Sequence, residues 1–113
     1  MSNYSSGHTA EKIAAGYLMD LGYKILEINW RTKYCEIDIV AEKNKRVYFV
    51  EVKSRSSTRF GTGFEYITKK KLNQMKFAAE MWVSHHNWKN DYQLAAIEMM
   101  GSGYTVTNFL TEL

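Results

Sequence analysis

Apolar residues recur along two segments of the chain at the spacing of a helix face. In the first segment they recur every three or four residues between Thr9, a suitable N-cap, and Gly22, which predicts a helix over about residues 10–21. Its apolar stripe is formed by Ile13, Tyr17, Leu18 and Leu21. In the second segment Thr68 caps a helix that ends near His86 and Asn87. Its apolar stripe is formed by Leu72, Met75, Ala79, Trp82 and Val83. Each stripe predicts a helix that packs one side against a core.

Alternation of apolar and polar residues predicts five strands in the rest of the chain. They cover Tyr23–Trp30, Glu36–Ala41, Arg46–Ser54, Tyr92–Met100 and Tyr104–Leu110. The polar turn Glu42–Lys45 joins the second and third strands into a hairpin. The order α-β-β-β-α-β-β predicts an α/β fold with a mixed central sheet flanked by helices. A length of 113 residues predicts a single domain, 1–113.

Composition excludes several classes of protein. No apolar stretch approaches the roughly 18 residues of a membrane span, and the polar start of the chain lacks the apolar segment of a secretory signal. Cys35 is the single cysteine, which excludes an internal disulfide and a zinc site made of several thiolates. We therefore expect a cytoplasmic protein without a membrane partner.

Basic residues are concentrated in one part of the chain. Seven Lys or Arg and a single Glu lie between Lys53 and Lys76, whereas the whole chain has 15 basic and 12 acidic residues. Inside this part, the Ser-, Thr- and Gly-rich segment Ser54–Phe64 predicts a surface loop that contacts a ligand. The range Lys69–Lys71 opens the second helix, where positive charge opposes the helix dipole, which favours a role in phosphate contacts. A polyanion-binding surface is the prediction, and an ordinary solvated basic surface is the alternative.

The predicted hairpin brings four charged residues together on one face. If its strands pair symmetrically about the turn, Asp38 lies opposite Glu51, and Glu36 lies opposite Lys53. Opposed residues share a face of the sheet. The other face is then apolar and comprises Ile37, Ile39, Ala41, Tyr48, Val50 and Val52. One face is expected to be core and the other charged.

Two carboxylates at opposed positions suit a divalent cation. Cross-strand Cβ atoms are about 4.5–5.5 Å apart, so Asp38 and Glu51 are able to share one ion at the ~2.0–2.6 Å distances of magnesium or calcium. Lys53 lies two residues after Glu51, so that both side chains reach one phosphate and the amine orients or activates the attacking water. The alternative is a solvated hairpin face with an ordinary ion pair between Glu36 and Lys53. Against it, opposed like charges are destabilising unless a cation lies between them.

The same residues carry a resemblance to a known family. The run Glu36–Ala41, followed by Val47–Arg55 with its E-x-K pattern, resembles the signature of the restriction-endonuclease-like nucleases. More closely, the chain resembles the YraN-like family of endonuclease-like proteins, which are related to archaeal Holliday junction resolvases. A first helix that bears Glu11 is part of this likeness, which extends over residues 7–83.

The resemblance implies a restriction-endonuclease-like core and a Mg²⁺- or Mn²⁺-dependent endonuclease that hydrolyses DNA phosphodiesters. By position, it implies that Asp38 and Glu51 are metal ligands, that Lys53 is the catalytic lysine and that Glu11 is a further catalytic acid. The residues expected to contact nucleic acid are Arg55, Arg59, Lys69, Lys70 and Lys71, with Glu36 and Gln74 as further candidates. The relation to resolvases suggests branched DNA as a substrate and a homodimer as the assembly, because a two-fold junction suits two sites.

Two other functions are left open by the sequence. A non-catalytic nucleic-acid-binding module would keep the basic surface without turnover, and its binding would be salt-sensitive. A structural domain whose carboxylates face water would bind neither metal nor DNA. Metal binding and metal-dependent cleavage separate the three functions.

Overall fold

The computed structural model describes residues 3–56 and 63–113, with side chains from residue 8 onwards in the first helix. It contains two helices and five strands in the predicted order. They are α1 (Asn3–Asp20), β1 (Lys24–Arg31), β2 (Glu36–Lys43), β3 (Arg46–Arg55), α2 (Lys69–His86), β4 (Tyr92–Met100) and β5 (Thr105–Leu110). The predicted element order is confirmed, and no helix among these residues is long and apolar enough to cross a membrane.

The five strands form one mixed sheet in the spatial order β1-β2-β3-β4-β5. Neighbouring strands are antiparallel except β3 and β4, which are parallel because the chain returns through α2 between them. The predicted α/β fold with a mixed sheet is therefore confirmed. The central pair, β3 and β4, carries the residues that both helices cover.

Helix α1 packs on one face of the sheet through small side chains. Ala10, Ala14, Ala15 and Leu18 are buried against apolar residues of β2, β3 and β4. Alanine at three of these four positions lets the helix approach the sheet closely. The predicted stripe is wrong at Ile13 and Leu21, which are 40% and 41% exposed. The predicted start is also wrong, since α1 begins at Asn3 rather than after Thr9.

The end of α1 follows the prediction. Gly22 has φ +92°, and its N–H donates to the carbonyl of Met19 while Tyr23 donates to the carbonyl of Leu18. This pair of bonds is a Schellman motif, which satisfies carbonyls that the last helical turn leaves unpaired. Glycine suits this position because a side chain is strained at positive φ.

Helix α2 covers the opposite face of the sheet. Ala78, Ala79 and Trp82 pack against Val40, Val47, Phe49 and Leu94, and all seven residues are buried. The predicted division of the hairpin into a core face and a charged face is therefore wrong. Both faces are core near the turn, because α2 covers the side that was expected to be solvated. Thr68 caps α2 as predicted, accepting a hydrogen bond from the N–H of Lys71.

The hairpin of β2 and β3 has the predicted register. Asn44 and Lys45 have φ of 53° and 65°, the conformation of a type I′ turn. From this turn the ladder runs to the pair formed by Ile39 and Val50, and every pair is symmetric about the turn. The register prediction is confirmed over this ladder.

Strand β2 departs from simple alternation beyond that pair. Ile39 packs on the α1 side, whereas Ile37 packs on the α2 side, although they are two residues apart. The prediction that they share a face is wrong. The change occurs at Asp38, and on β1 the facing position holds Asn29, whose φ is +58°. The left-handed conformation of Asn29 interrupts the pleat of β1 beside Asp38, which accounts for the change of side on β2.

Candidate functional site

Strands β2 and β3 separate at the end of the hairpin that is far from the turn. Beyond the last ladder pair, the N–H of Val52 donates to Oδ2 of Asp38 at 2.8 Å. In a continued antiparallel ladder this N–H would bond a backbone carbonyl of β2. The Asp38 side chain therefore takes the place of a backbone acceptor and is fixed between the two strands.

Glu11 reaches the same place from α1. It lies on the side of the helix that carries the buried Ala14 and Leu18, as predicted, which places its carboxyl group close to the side chains of Asp38 and Asn29. Its Oε2 atom is enclosed but has no hydrogen-bond partner in the part of the chain that the structure describes. An enclosed carboxylate oxygen without a partner is costly, unless a ligand supplies one.

We refer to Glu11, Asp38 and Glu51 as the acidic centre. Burial raises the pKa of Asp38 to about 8, the charge of Glu51 adds to the rise, and the Val52 hydrogen bond opposes it. Burial also raises the pKa of Glu11, against the effect of its hydrogen bonds to Asp38 and Asn29. At neutral pH Asp38 therefore retains a proton, chiefly because its carboxyl group is buried and also because it lies beside the charge of Glu51.

The cation closest to the acidic centre comes from α2. Nζ of Lys71 lies 2.8 Å from Oε2 of Glu51. Burial alone would lower the pKa of Lys71, but the hydrogen bond and charge of Glu51 raise it above the usual value. Sequence reasoning assigned Lys71 to phosphate contacts and did not pair it with Glu51, since only the packing of α2 beside β3 brings them together.

Lys53 has a different neighbour from the one that the symmetric hairpin suggested. Its Nζ lies 5.5 Å from the ring centroid of Tyr66, and the Glu36 carboxylate instead pairs with Arg31 at 3.1 Å. The ion pair between Glu36 and Lys53, considered as an alternative, is therefore not formed. Lys53 remains on the strand of Glu51, two residues further on, and its catalytic role remains a prediction.

Arg55 is engaged inside the protein. Its Nε donates to Oε2 of the buried Glu98 at 2.9 Å, and its NH2 group donates to the carbonyl of Gly63 at 3.3 Å. Arg55 thereby ties the end of β3 to β4 and to the loop. Its contact with nucleic acid remains a prediction, and Arg59 lies outside the described residues.

Tyr66 is a residue of the site that sequence reasoning did not single out. Its ring lies 5.5 Å from both Nζ of Lys53 and the guanidinium carbon of Arg55. Its hydroxyl is enclosed and has no hydrogen-bond partner among the described residues. Burial raises the pKa of Tyr66 above its usual range, and the charge of Glu51 adds to this. A lone tyrosine in a loop gives no signal of this position in the sequence.

A groove of about 770 Å³ opens beside Glu51. We call it the lysine groove, because the three lysines at the start of α2 form one of its walls. Its lining comprises Tyr34, Cys35, Glu36, Glu51, Lys69, Lys70, Lys71, Asn73, Gln74, Met75 and Phe77. The structure thus brings together the lysines, Glu36 and Gln74, all of which were predicted as candidates, next to one member of the acidic centre.

Metal binding was predicted at Asp38 and Glu51. Over residues 3–56 and 63–113 there is no group of three or more His, Cys, Asp or Glu side chains placed to hold a metal ion. Magnesium commonly keeps several waters and takes one or two carboxylates from the protein, so a site of this kind needs fewer side chains. The predicted pair of ligands remains a prediction.

Comparison with known proteins places these residues in a family context. A family model described as "Uncharacterised protein family UPF0102" matches residues 10–100. A UPF0102 protein of Syntrophomonas wolfei is 47% identical over 81 residues, which cover 72% of this chain and 70% of that protein. A UPF0102 protein of a Sulfurihydrogenibium species is 38% identical over 103 residues, 90% of each chain. One from Clostridioides difficile is 41% identical over 90 residues, covering 80% of this chain and 79% of its own. The matched region contains the whole acidic centre.

Proposed function

The chain belongs to the UPF0102 family, and we propose that it is a Mg²⁺- or Mn²⁺-dependent endonuclease that hydrolyses DNA phosphodiesters. The observation that carries the proposal is the acidic centre, in which Asp38 is held beside two other acids and has a pKa of about 8. Placing acids side by side in a partly buried site costs stability, and among the described residues Lys71 compensates the charge of Glu51 alone. A bound divalent cation would compensate the remaining negative charge.

The side chains present fit such an ion. Mg²⁺ and Mn²⁺ prefer carboxylate oxygens, and the acidic centre offers the carboxylates of Asp38 and Glu51 at the open end of the hairpin. Oε2 of Glu11 is enclosed and has no partner among the described residues, and a bound ion would supply one. In this proposal Asp38 and Glu51 hold the ion, and Glu11 acts as the further acid beside it.

The remaining residues act on the DNA. A cation at the acidic centre would supply polarisation of the phosphodiester and a lowered pKa for the attacking water. Lys53 lies two residues after Glu51 on the same face of β3 and orients that water. Lys69 and Lys70 bind the flanking phosphates from the lysine groove. With an ion held by Glu51, Lys71 would be available to a phosphate.

The fold and the assembly are part of the proposal. A mixed sheet whose central hairpin opens at paired acids, with α1 contributing another acid, supports a restriction-endonuclease-like core. The resemblance to resolvases extends the proposal to branched DNA and to a homodimer. Sedimentation of the protein with and without a four-way junction tests the dimer.

Cleavage of defined DNA tests the proposed activity. The purified protein is incubated with Mg²⁺ or Mn²⁺ and with linear duplex, single-stranded and four-way-junction DNA. We expect cleavage of at least one substrate, abolished by chelation and reduced about 1,000-fold in Asp38→Asn, because losing a ligand removes several kcal/mol of transition-state stabilisation. The amide oxygen of the variant is still able to accept the Val52 hydrogen bond, so the strands stay in place.

The matched control is Asp91→Asn. Asp91 is an 81% exposed acid that pairs with Arg46 at 3.7 Å on the surface, so its loss changes the net charge equally without touching the acidic centre. Full activity of this control is expected. Cleavage by Asp38→Asn at the wild-type rate, or no cleavage of any DNA by a folded wild-type protein that binds Mn²⁺, contradicts the proposal.

A non-catalytic nucleic-acid-binding module is the second candidate function. One contact favours it: Lys71 already neutralises Glu51 without a metal ion. In that case the lysine groove binds DNA in a salt-sensitive manner and calorimetric titration with Mn²⁺ gives no heat of binding. The two titrations, with Mn²⁺ and with DNA, therefore separate the candidates.

A further inference from the structure

The lining of the lysine groove combines two kinds of side chain. The cationic part consists of the three lysines at the start of α2. The aromatic and apolar part consists of Tyr34 from the connection between β1 and β2 and of Met75 and Phe77 from α2. The groove is thus suited to a ligand that is both anionic and planar.

The two aromatic residues are not used by the fold. Tyr34 is 70% exposed and Phe77 is 48% exposed, and neither belongs to the hydrophobic clusters under α1 and α2. The contact recorded for the Tyr34 ring is with Nζ of its neighbour Lys33 at 5.8 Å. Exposed aromatic rings beside a basic groove offer flat surfaces on which a planar group of a ligand can stack.

We infer that the lysine groove binds unpaired nucleotides of a DNA strand, with phosphates against Lys69 and Lys70 and bases against the rings of Tyr34 and Phe77. Basic grooves with exposed aromatic rings bind single strands in this way, because every base offers a flat face for stacking. In an intact duplex those faces are already stacked on each other. The groove volume of about 770 Å³ is large enough for a nucleotide.

This inference rests on the proposed function in one respect: it treats the bound strand as a substrate of the acidic centre, and the groove leads to that centre at Glu51. A strand held there would present a phosphate of its unpaired part, or of its junction with a duplex, to that centre. The substrate class would then be DNA with unpaired nucleotides, such as a flap, a gap or an open branch. Binding itself requires neither metal nor cleavage.

Binding of a short dT oligonucleotide in the presence of EDTA tests the inference. Fluorescence anisotropy is measured for the oligonucleotide and for a duplex of the same length, so that cleavage plays no part. We expect the single strand to bind more tightly than the duplex. Tyr34→Ala and Phe77→Ala should each weaken single-strand binding by about 5- to 100-fold, the effect of losing one base–aromatic stack, while duplex affinity changes by less than about twofold.

Two controls distinguish stacking from other effects. Tyr34→Phe keeps the ring and should retain single-strand affinity, whereas Tyr34→Leu keeps only apolar surface and should lose it. Tyr92→Ala removes a 42% exposed aromatic residue outside the lysine groove and should leave single-strand binding unchanged. A 2-aminopurine base in the strand should lose fluorescence on binding to the wild type and keep more of it with Tyr34→Ala.

The outcomes separate this inference from the proposed function. Equal affinity for single strand and duplex, unchanged affinity in both alanine variants, or equal competition by a polyglutamate peptide overturns the inference even if the protein cleaves duplex DNA. Preferential binding of the strand, lost in the alanine variants, supports the inference even if no DNA is cleaved with Mn²⁺. In that case only the proposed nuclease activity fails.

Discussion

Glu98 and Asp38 lie on strands of the same sheet, yet their surroundings shift the pKa values of the two carboxyl groups in opposite directions. Glu98 is 1% exposed and accepts hydrogen bonds from Arg55, Thr107 and Asn108. Burial would raise its pKa, but these donors lower it below the usual value. Asp38 accepts one backbone hydrogen bond and otherwise faces acids, which with burial raise its pKa to about 8.

The difference separates an acid whose charge is satisfied within the fold from one whose charge is not. Donors from β3 and β5 saturate Glu98, so its site has no room or need for a ligand. Among the residues that the structure describes, an enclosed oxygen of the acidic centre has no hydrogen-bond partner, and Lys71 of α2 is the cation that pairs with the centre. Burial of an acid is thus a poor guide to function, and the supply of donors around it is a better one.

Removing Glu98 should give the largest effect on stability. Glu98→Ala leaves the guanidinium group of Arg55 without a counter-charge. It also removes the acceptor of the hydrogen bonds from Thr107 and Asn108. We expect the free energy of unfolding, measured with urea, to fall by about 3–5 kcal/mol. Glu112→Ala, at an exposed position near the end of the chain, is the control and should change it little. A loss below about 1 kcal/mol for Glu98→Ala would show that the network does not stabilise the fold.

Replacing Asp38 by a neutral residue should raise the free energy of unfolding, and the size of this gain should depend on pH. Because its folded pKa of about 8 lies above the unfolded value of 3.8, the unfolded state binds fewer protons between them, and stability without metal falls as pH rises from about 4 to 8. Asp38→Asn removes this titration, so its stability relative to the wild type should grow with pH, by about 1–3 kcal/mol at pH 8.

Urea unfolding in EDTA at several pH values measures this difference. Addition of Mn²⁺ should reverse it, since the ion stabilises the wild type and not the variant. A difference that is constant from pH 5 to pH 8 would mean that Asp38 does not titrate in this range, and would remove the contrast with Glu98.

Removing the borrowed cation should strengthen metal binding. In Lys71→Met an incoming ion no longer competes with the ammonium group for Glu51, a contact worth about 1 kcal/mol at a partly exposed site. Calorimetry should therefore show Mn²⁺ binding about three- to tenfold tighter than in the wild type. Lys69→Met, on the exposed part of the same helix turn, controls for the general loss of positive charge. Equal gains in both variants would show that Lys71 has no specific role.

The smallest effect is expected at Tyr66. Its enclosed hydroxyl has no partner among the described residues, so Tyr66→Phe removes an unsatisfied group and keeps the ring between Lys53 and Arg55. The free energy of unfolding should stay unchanged or rise by up to about 1 kcal/mol. Tyr92→Phe, at a partly exposed ring, is the matched control and should be neutral. A clear loss of stability in Tyr66→Phe would mean that the hydroxyl is satisfied in solution.

Local chemistry made several elements predictable. The cap of α2 at Thr68 and the end of α1 at Gly22 depend on residues within one turn of the chain, and both are confirmed. The hairpin register depends on a two-residue turn with positive φ and on matched alternation on both sides of it, and it too is confirmed. The start of α1 was wrong, because its first turns contain polar residues whose periodicity carries no signal.

Long-range packing decided the features that were missed. The alternation of apolar and polar residues predicted which residues share a face of the hairpin. Whether the second face is exposed to solvent depends on where α2 lies. Ile37 changes side because the pleat is interrupted beside Asn29 on the neighbouring strand. Lys71 and Tyr66 lie near Glu51 only because α2 and the described residues just before it pack beside β3, and nothing in their own sequence neighbourhood indicates this.

By itself, the sequence determined the order of the helices and strands and the register of the hairpin. It also determined that acidic residues lie at the end of the hairpin far from the turn. These follow from interactions between residues close in the chain, whose free energies depend mainly on residue type and spacing. The tertiary structure alone decided that Glu98 receives three side-chain donors. It also decided that in the acidic centre Asp38 keeps a proton, Glu51 pairs with Lys71, and an oxygen of Glu11 has no partner among the described residues. That distinction depends on burial and on charges from distant segments, since a pKa responds to everything packed around the group.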